Sequence, residues 1–174
     1  MKFKTIVIFF LSLFLFSCKG NKSNDEPSES IKQIPKNQLI VNFSFKTDVE
    51  DRFFIMMINI NVDEFQKKNI QIHENVPPSS GFERISAKFD PGNFSKSVRI
   101  NLGTKQKEVV LEKIELSYKN NIVEINSTNF EEFVNLNDYV EFNVENATLH
   151  TKFKNGSHNP VLEIKESIMN SLLK

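Results

Sequence analysis

The chain has no tryptophan, and among its 174 residues it carries one cysteine, two tyrosines and three histidines. A single cysteine excludes an intrachain disulfide, so the fold must be held by its core alone. No apolar run reaches the roughly 20 residues that a membrane-spanning helix needs; the stretch from Ile6 to Phe16 is shorter and broken by Ser12. Neither sign of charge dominates, with 22 Lys and Arg against 22 Asp and Glu, which argues against nucleic acid or another polyanion as partner. There is no Gly-rich phosphate loop, no Gly-x-Ser-x-Gly elbow and no internal repeat. His73, His150 and His158 are too far apart for the short ligand spacings of a zinc motif. Glu83, Asp90, Glu115, Glu124, Glu141 and Glu163 supply carboxylates, yet no spacing singles out the convergent pair a glycosidase uses. These absences lean away from an enzyme.

What is present begins at the N-terminus. Lys2 and Lys4 precede the Ile6 to Phe16 apolar run, as the n-region and h-region of an export signal do. Leu15-Phe16-Ser17-Cys18 resembles the lipobox of a bacterial lipoprotein, with Leu15 three positions and Ser17 one position before the cysteine. The resemblance implies cleavage between Ser17 and Cys18, then a diacylglyceryl thioether and an N-acyl chain of palmitate type on Cys18. Each buried methylene of such chains contributes about 0.8 kcal/mol, so attachment to the membrane would be lasting. Lys19, rather than an inner-membrane-retaining aspartate, implies the outer membrane of a Gram-negative envelope, on its periplasmic or surface side. Three divisions follow: a signal over 1–17, a lipidated cysteine with a tether over 18–37, and a domain over 38–174. The polar and charged composition of the tether predicts disorder, with a reach of about 25 Å as a coil and at most about 65 Å extended.

Beyond the tether the hydrophobic period is two. Leu39, Val41, Phe43 and Phe45 alternate with Ile40, Asn42, Ser44 and Lys46, predicting a half-buried strand. A charged hairpin turn at Asp48 to Asp51 leads into Phe53 to Ile60, nearly continuous in apolar residues and so read as a central strand. Val62 and Phe65 suit a short helical turn, and Ile70 to Val76, Ile85 to Phe89 and Val98 to Leu102 suit strands. In Val109 to Tyr118 the apolar parity switches between Leu111 and Ile114, as a β-bulge allows. Asn120-Asn121 and Asn155-Gly156 predict tight turns. A short helix is predicted near 128–134, capped by Ser127 or Thr128, and another at the C-terminus through Ile168 and Leu172. Eight to ten short strands without strand–helix alternation predict an all-β antiparallel sandwich of jelly-roll type.

The succession Phe43-Ser44-Phe45-Lys46-Thr47, Val98-Arg99-Ile100-Asn101-Leu102-Gly103, Ile114-Glu115-Leu116 and Asp138-Tyr139-Val140-Glu141-Phe142 resembles β-sandwich modules of bacterial envelope proteins and carbohydrate-binding sandwiches. The resemblance implies a non-enzymatic module that binds or scaffolds a surface glycan or an envelope protein. An enzyme acting on surface polysaccharide, or a purely structural subunit, is the alternative. Tyr139, Glu141 and Asn143, with Glu145, share one strand parity and form the candidate ligand face. No cofactor is required, but Asp48, Glu50 and Asp51 are oxygen donors suited to a structural calcium ion.

Overall fold

The alternation of Leu39 to Lys46 is realised as strand β1 (Ile40–Lys46), whose Val41, Phe43 and Phe45 are fully enclosed. The structure is a computed structural model and describes residues 37–58, 60 and 70–174; the signal, Cys18, nearly all of the tether and the turn expected around Val62 and Phe65 lie outside the described residues. The strand read from Phe53 onward is β2 (Asp51–Ile58). Nine more strands follow: β3 (Gln71–Val76), β4 (Glu83–Lys88), β5 (Ser97–Asn101), β6 (Glu108–Tyr118), β7 (Asn121–Ile125), β8 (Val134–Leu136), β9 (Val140–Asn143), β10 (Thr148–Thr151) and β11 (Val161–Ile164). Two short helices complete the described chain, α1 (Phe130–Phe133) before β8 and α2 (Glu166–Ser171) after β11.

The strands form two antiparallel sheets, as the all-β sandwich reading requires. The first has the order β4-β1-β6-β10-β9, with β7 pairing β6 beyond the reach of β10; the second has the order β3-β2-β5-β11-β8. The chain passes repeatedly from one sheet to the other, in the manner of a jelly roll. Inward-facing apolar residues of both sheets meet in one core. Its aromatic centre joins the sheets: Phe43 and Phe45 of β1 stack at 4.6 Å between centroids, and Phe53 of β2 lies 5.1 Å from Phe45. Such packed rings add roughly 0.5–1.5 kcal/mol per pair beyond the burial of their area.

Several local expectations are corrected. Asp48 to Asp51 is not a hairpin turn, because β1 and β2 belong to different sheets and the segment crosses between them. β2 is enclosed on one face only; Phe54, Met56 and Ile58 stay half-buried on the other. Conversely β1 is buried on both faces, since Asn42 donates to Glu115 (3.0 Å) beneath an Arg84–Glu115–Lys113–Glu124 chain of ion pairs. The turn between β6 and β7 forms where expected, but Lys119, not an asparagine, takes the left-handed conformation at φ 56°. Neither Ser127 nor Thr128 caps α1; Asn129 stands at that position, its side-chain oxygen accepting instead from the Asn126 backbone N–H at 2.8 Å. The parity switch in β6 is a bulge: Ser44 pairs with Lys113 and Phe45 with Leu111, leaving Glu112 without a partner on β1. Through it Leu111 and Ile114 both face the core.

Candidate functional site

At one end of the sandwich a charged pair is sealed from water. The side chain of Lys107, the residue before β6, is 0% exposed, and that of Asp51, which opens β2, is 5% exposed. Lys107 Nζ donates to Asp51 Oδ2 and to the Leu102 carbonyl (2.6 Å), 5.3 Å from the centre of the Phe53 ring. Asp51 also accepts from the backbone N–H groups of Arg52 (2.7 Å), Thr104 (2.8 Å) and Lys105 (2.8 Å). Gly103 permits this approach: its φ is +87°, and a Cβ there would sit 2.4 Å from Asp51 Cγ. Burial works against the Asp51 carboxylate, but the donors outweigh it and lower its pKa from 3.8 to about 2. For Lys107 burial wins, and its pKa falls despite Asp51 beside it. These groups are occupied by each other, which makes the pair a clamp and not a reactive centre.

His158 lies against this clamp. Both ring nitrogens are enclosed without a hydrogen-bond partner among the described residues, and the ring packs 4.8 Å from that of Phe153. Burial, and then the Lys107 charge, push its pKa below 6.5. His73 packs edge-on against Phe54 at 4.4 Å, and His150 meets Glu108 at 3.3 Å, so the three histidines occupy separate environments.

The structure does not assemble the calcium donor set. Asp48 and Glu50 are exposed, whereas the Asp51 carboxylate turns inward to Lys107. Among the described residues no three His, Cys, Asp or Glu side chains come together closely enough to hold a metal ion. Coordination would have to displace the donors that Asp51 already has.

The candidate ligand face is partly assembled. Glu141 and Asn143 are exposed on β9, the edge strand of the first sheet, and line a shallow hollow of about 500 Å³ with Glu145 and His150. Tyr139 is not among the residues lining it; half-buried in the turn before β9, it is fixed by backbone hydrogen bonds to Asn137 Oδ1 (3.2 Å) and from Lys152 N–H (2.9 Å). Glu141 is paired with Lys152, which holds its carboxyl below the ordinary range. Asn143 Oδ1 accepts from the Glu145 N–H at 3.0 Å, the local bond of a turn.

A second polar face lies on the outside of the other sheet. Antiparallel register sets Met56, Arg99, Glu163 and Asn135 side by side across β2, β5, β11 and β8. Arg99 pairs with Glu163 at 3.1 Å, and Ser97 Oγ donates to the other carboxylate oxygen at 2.9 Å. In the adjoining row Asn101 Nδ2 donates to Asn159 Oδ1 (2.7 Å), and Asn137 Nδ2 donates to the Asn159 carbonyl (2.7 Å). Two hollows, of about 570 and 250 Å³, adjoin here and share Asn135 and Glu163. The sequence places Arg99 and Asn101 on the outward parity of their strand, but nothing in it sets β11 and β8 beside them. No protein-family model matches the chain, and no curated protein or solved structure is detectably similar to it.

Proposed function

We propose that this chain is a non-enzymatic envelope lipoprotein whose β-sandwich is a binding module carried on a lipid anchor. The anchor rests on Lys2, Lys4 and the Leu15 to Cys18 lipobox. The binding role rests on one observation: two adjoining polar hollows on the outer face of the second sheet, bounded by Arg99, Asn135 and Glu163. A binding role fits the carboxylates better than a catalytic one. Glu163 is neutralised by Arg99, Glu141 by Lys152 and Glu166 by Lys96, whereas a glycosidase acid needs a raised pKa and a facing partner carboxylate. The outer membrane is the expected location, since Lys19 follows the lipid-bearing position.

The test is fractionation of cells producing the full chain or its Cys18→Ser variant. Wild-type protein is expected in the outer membrane with an acylated N-terminal cysteine, and the variant is expected to lose acylation and membrane attachment. An unlipidated wild-type protein that still sediments with membranes would overturn the anchor. Cross-linking in intact cells then tests the module: an envelope component joined through the second sheet supports it.

A further inference from the structure

We propose that the outer face of the second sheet, around Arg99, Asn135, Asn159 and Glu163, binds an electrically neutral, hydroxyl-rich polymer, that is, a glycan without carboxylate or phosphate groups. This rests on the reading of the sandwich as a binding module and narrows it to one face and one ligand chemistry.

The charge of the smaller hollow is balanced, since Arg99 and Glu163 are the one cation and the one anion that line it. Arg99 and Glu163 neutralise each other, Lys96 pairs with Glu166 at 3.5 Å at the rim, and Lys165 Nζ donates to the Glu131 carbonyl at 2.9 Å. In that hollow an anionic ligand would have to displace Glu163 from Arg99, and a cationic one would have to displace Arg99 from Glu163, while the Lys165 ammonium lines only the larger hollow. Neutral groups meet no such cost, and the remaining valences suit them. Among the described residues the Asn135 side chain makes no hydrogen bond, and Asn159 uses its side-chain oxygen but not its Nδ2. Donors and acceptors are therefore interleaved within one hollow, which matches a hydroxyl that both donates and accepts.

The direction of the hollow also distinguishes a glycan from an extended peptide. It crosses β5, β11 and β8, a distance of about 10 Å at the usual strand spacing, and its polar groups are side chains. A peptide adding to a sheet needs the unpaired backbone of an edge strand; β5 and β11 each have partners on both sides, and β8 ends the sheet, so an added peptide would run along β8, whereas the polar row runs across the three strands. Half-buried Met56 and Val161 flank the charged row and offer apolar contact to the C–H faces of sugar rings.

Affinity electrophoresis of the detergent-solubilised full chain tests this, in gels holding neutral probes (dextran, galactomannan or xylan) or acidic ones (alginate or polygalacturonate). Retardation by at least one neutral probe, and by neither acidic probe, is expected. The Asn135→Ala variant should weaken that retardation about fivefold, the loss of one hydrogen bond to the ligand, with an unchanged melting temperature, because the Asn135 side chain is exposed. The Glu141→Ala, Asn143→Ala variant should bind as wild type. Loss of binding only in the β9 variant overturns the face assigned here and leaves the module reading standing. Retardation only by acidic probes overturns the ligand chemistry. If no neutral probe retards the chain the inference fails, and cross-linking through the second sheet to an envelope protein would then preserve the broader reading.

Discussion

Lys107 and Asp51, 56 positions apart, place their charges against each other inside one end of the sandwich. The contact ties the start of β2 to the segment between β5 and β6, and Thr151 completes the junction by accepting from the Lys107 N–H at 2.8 Å. The two partners differ in what supports them. Among the described residues Asp51 has three backbone donors besides Lys107, whereas the Lys107 ammonium has only the Leu102 carbonyl besides Asp51.

That difference makes the two single substitutions unequal. Asp51→Ala strands a buried ammonium and is expected to cost about 3–5 kcal/mol. Lys107→Met leaves a carboxylate with its backbone donors and a thioether beside Phe53, and is expected to cost about 1–3 kcal/mol. Denaturant titration of both variants and the double variant checks this; equal losses, or additive ones, would contradict the clamp.

Gly103→Ala and Gly156→Ala impose the same positive φ on an alanine, at +87° and +76°. A left-handed non-glycine residue costs about 1–3 kcal/mol. At Gly156 the new methyl meets nothing within 4 Å, whereas at Gly103 it would enter the Asp51 carboxylate. Gly103→Ala should therefore be the more damaging by thermal melting, and Asp51→Asn should not relieve it, because the clashing atoms remain.

Acid stability follows from Asp51. Its folded pKa of about 2 lies below the ordinary 3.8, so the unfolded chain takes up the proton first and stability falls as pH drops from about 4 to about 2. The contribution lost is roughly 2 kcal/mol. His158 acts in the same direction at higher pH. Its lowered pKa leaves the folded ring neutral where the unfolded one is charged, so stability declines as pH falls below 6.5. His73, lowered by burial and by Arg52, adds to this decline. Melting curves of His158→Gln and His73→Gln across this range should each show a shallower slope than wild type.

Calcium is expected to leave the melting temperature unchanged, because Asp48, Glu50 and Asp51 do not converge and Asp51 faces Lys107. An ion bound by the native state alone would raise it. A calcium-dependent rise abolished by Asp48→Asn would refute this arrangement.

The sequence by itself determined what depends on neighbouring residues. Alternation fixed the core set of β1 and the outward parity of Arg99, and the parity switch marked the bulge at Glu112. Asn155-Gly156 formed its turn, with φ of 52° and 76°, because the backbone preferences involved are local. Only the tertiary structure decided which strands share a sheet. It turned the expected Asp48 to Asp51 hairpin into a crossing between sheets, drew Asp51 away from Asp48 and Glu50 to Lys107, and left Tyr139 outside the hollow beside Glu141 and Asn143. The row Arg99, Glu163 and Asn135 is likewise a product of strand order, from three segments separated by up to 64 positions. A period of two states which way a side chain points, but the neighbour it meets across the sheet is set by pairings distant in sequence, which no local pattern encodes.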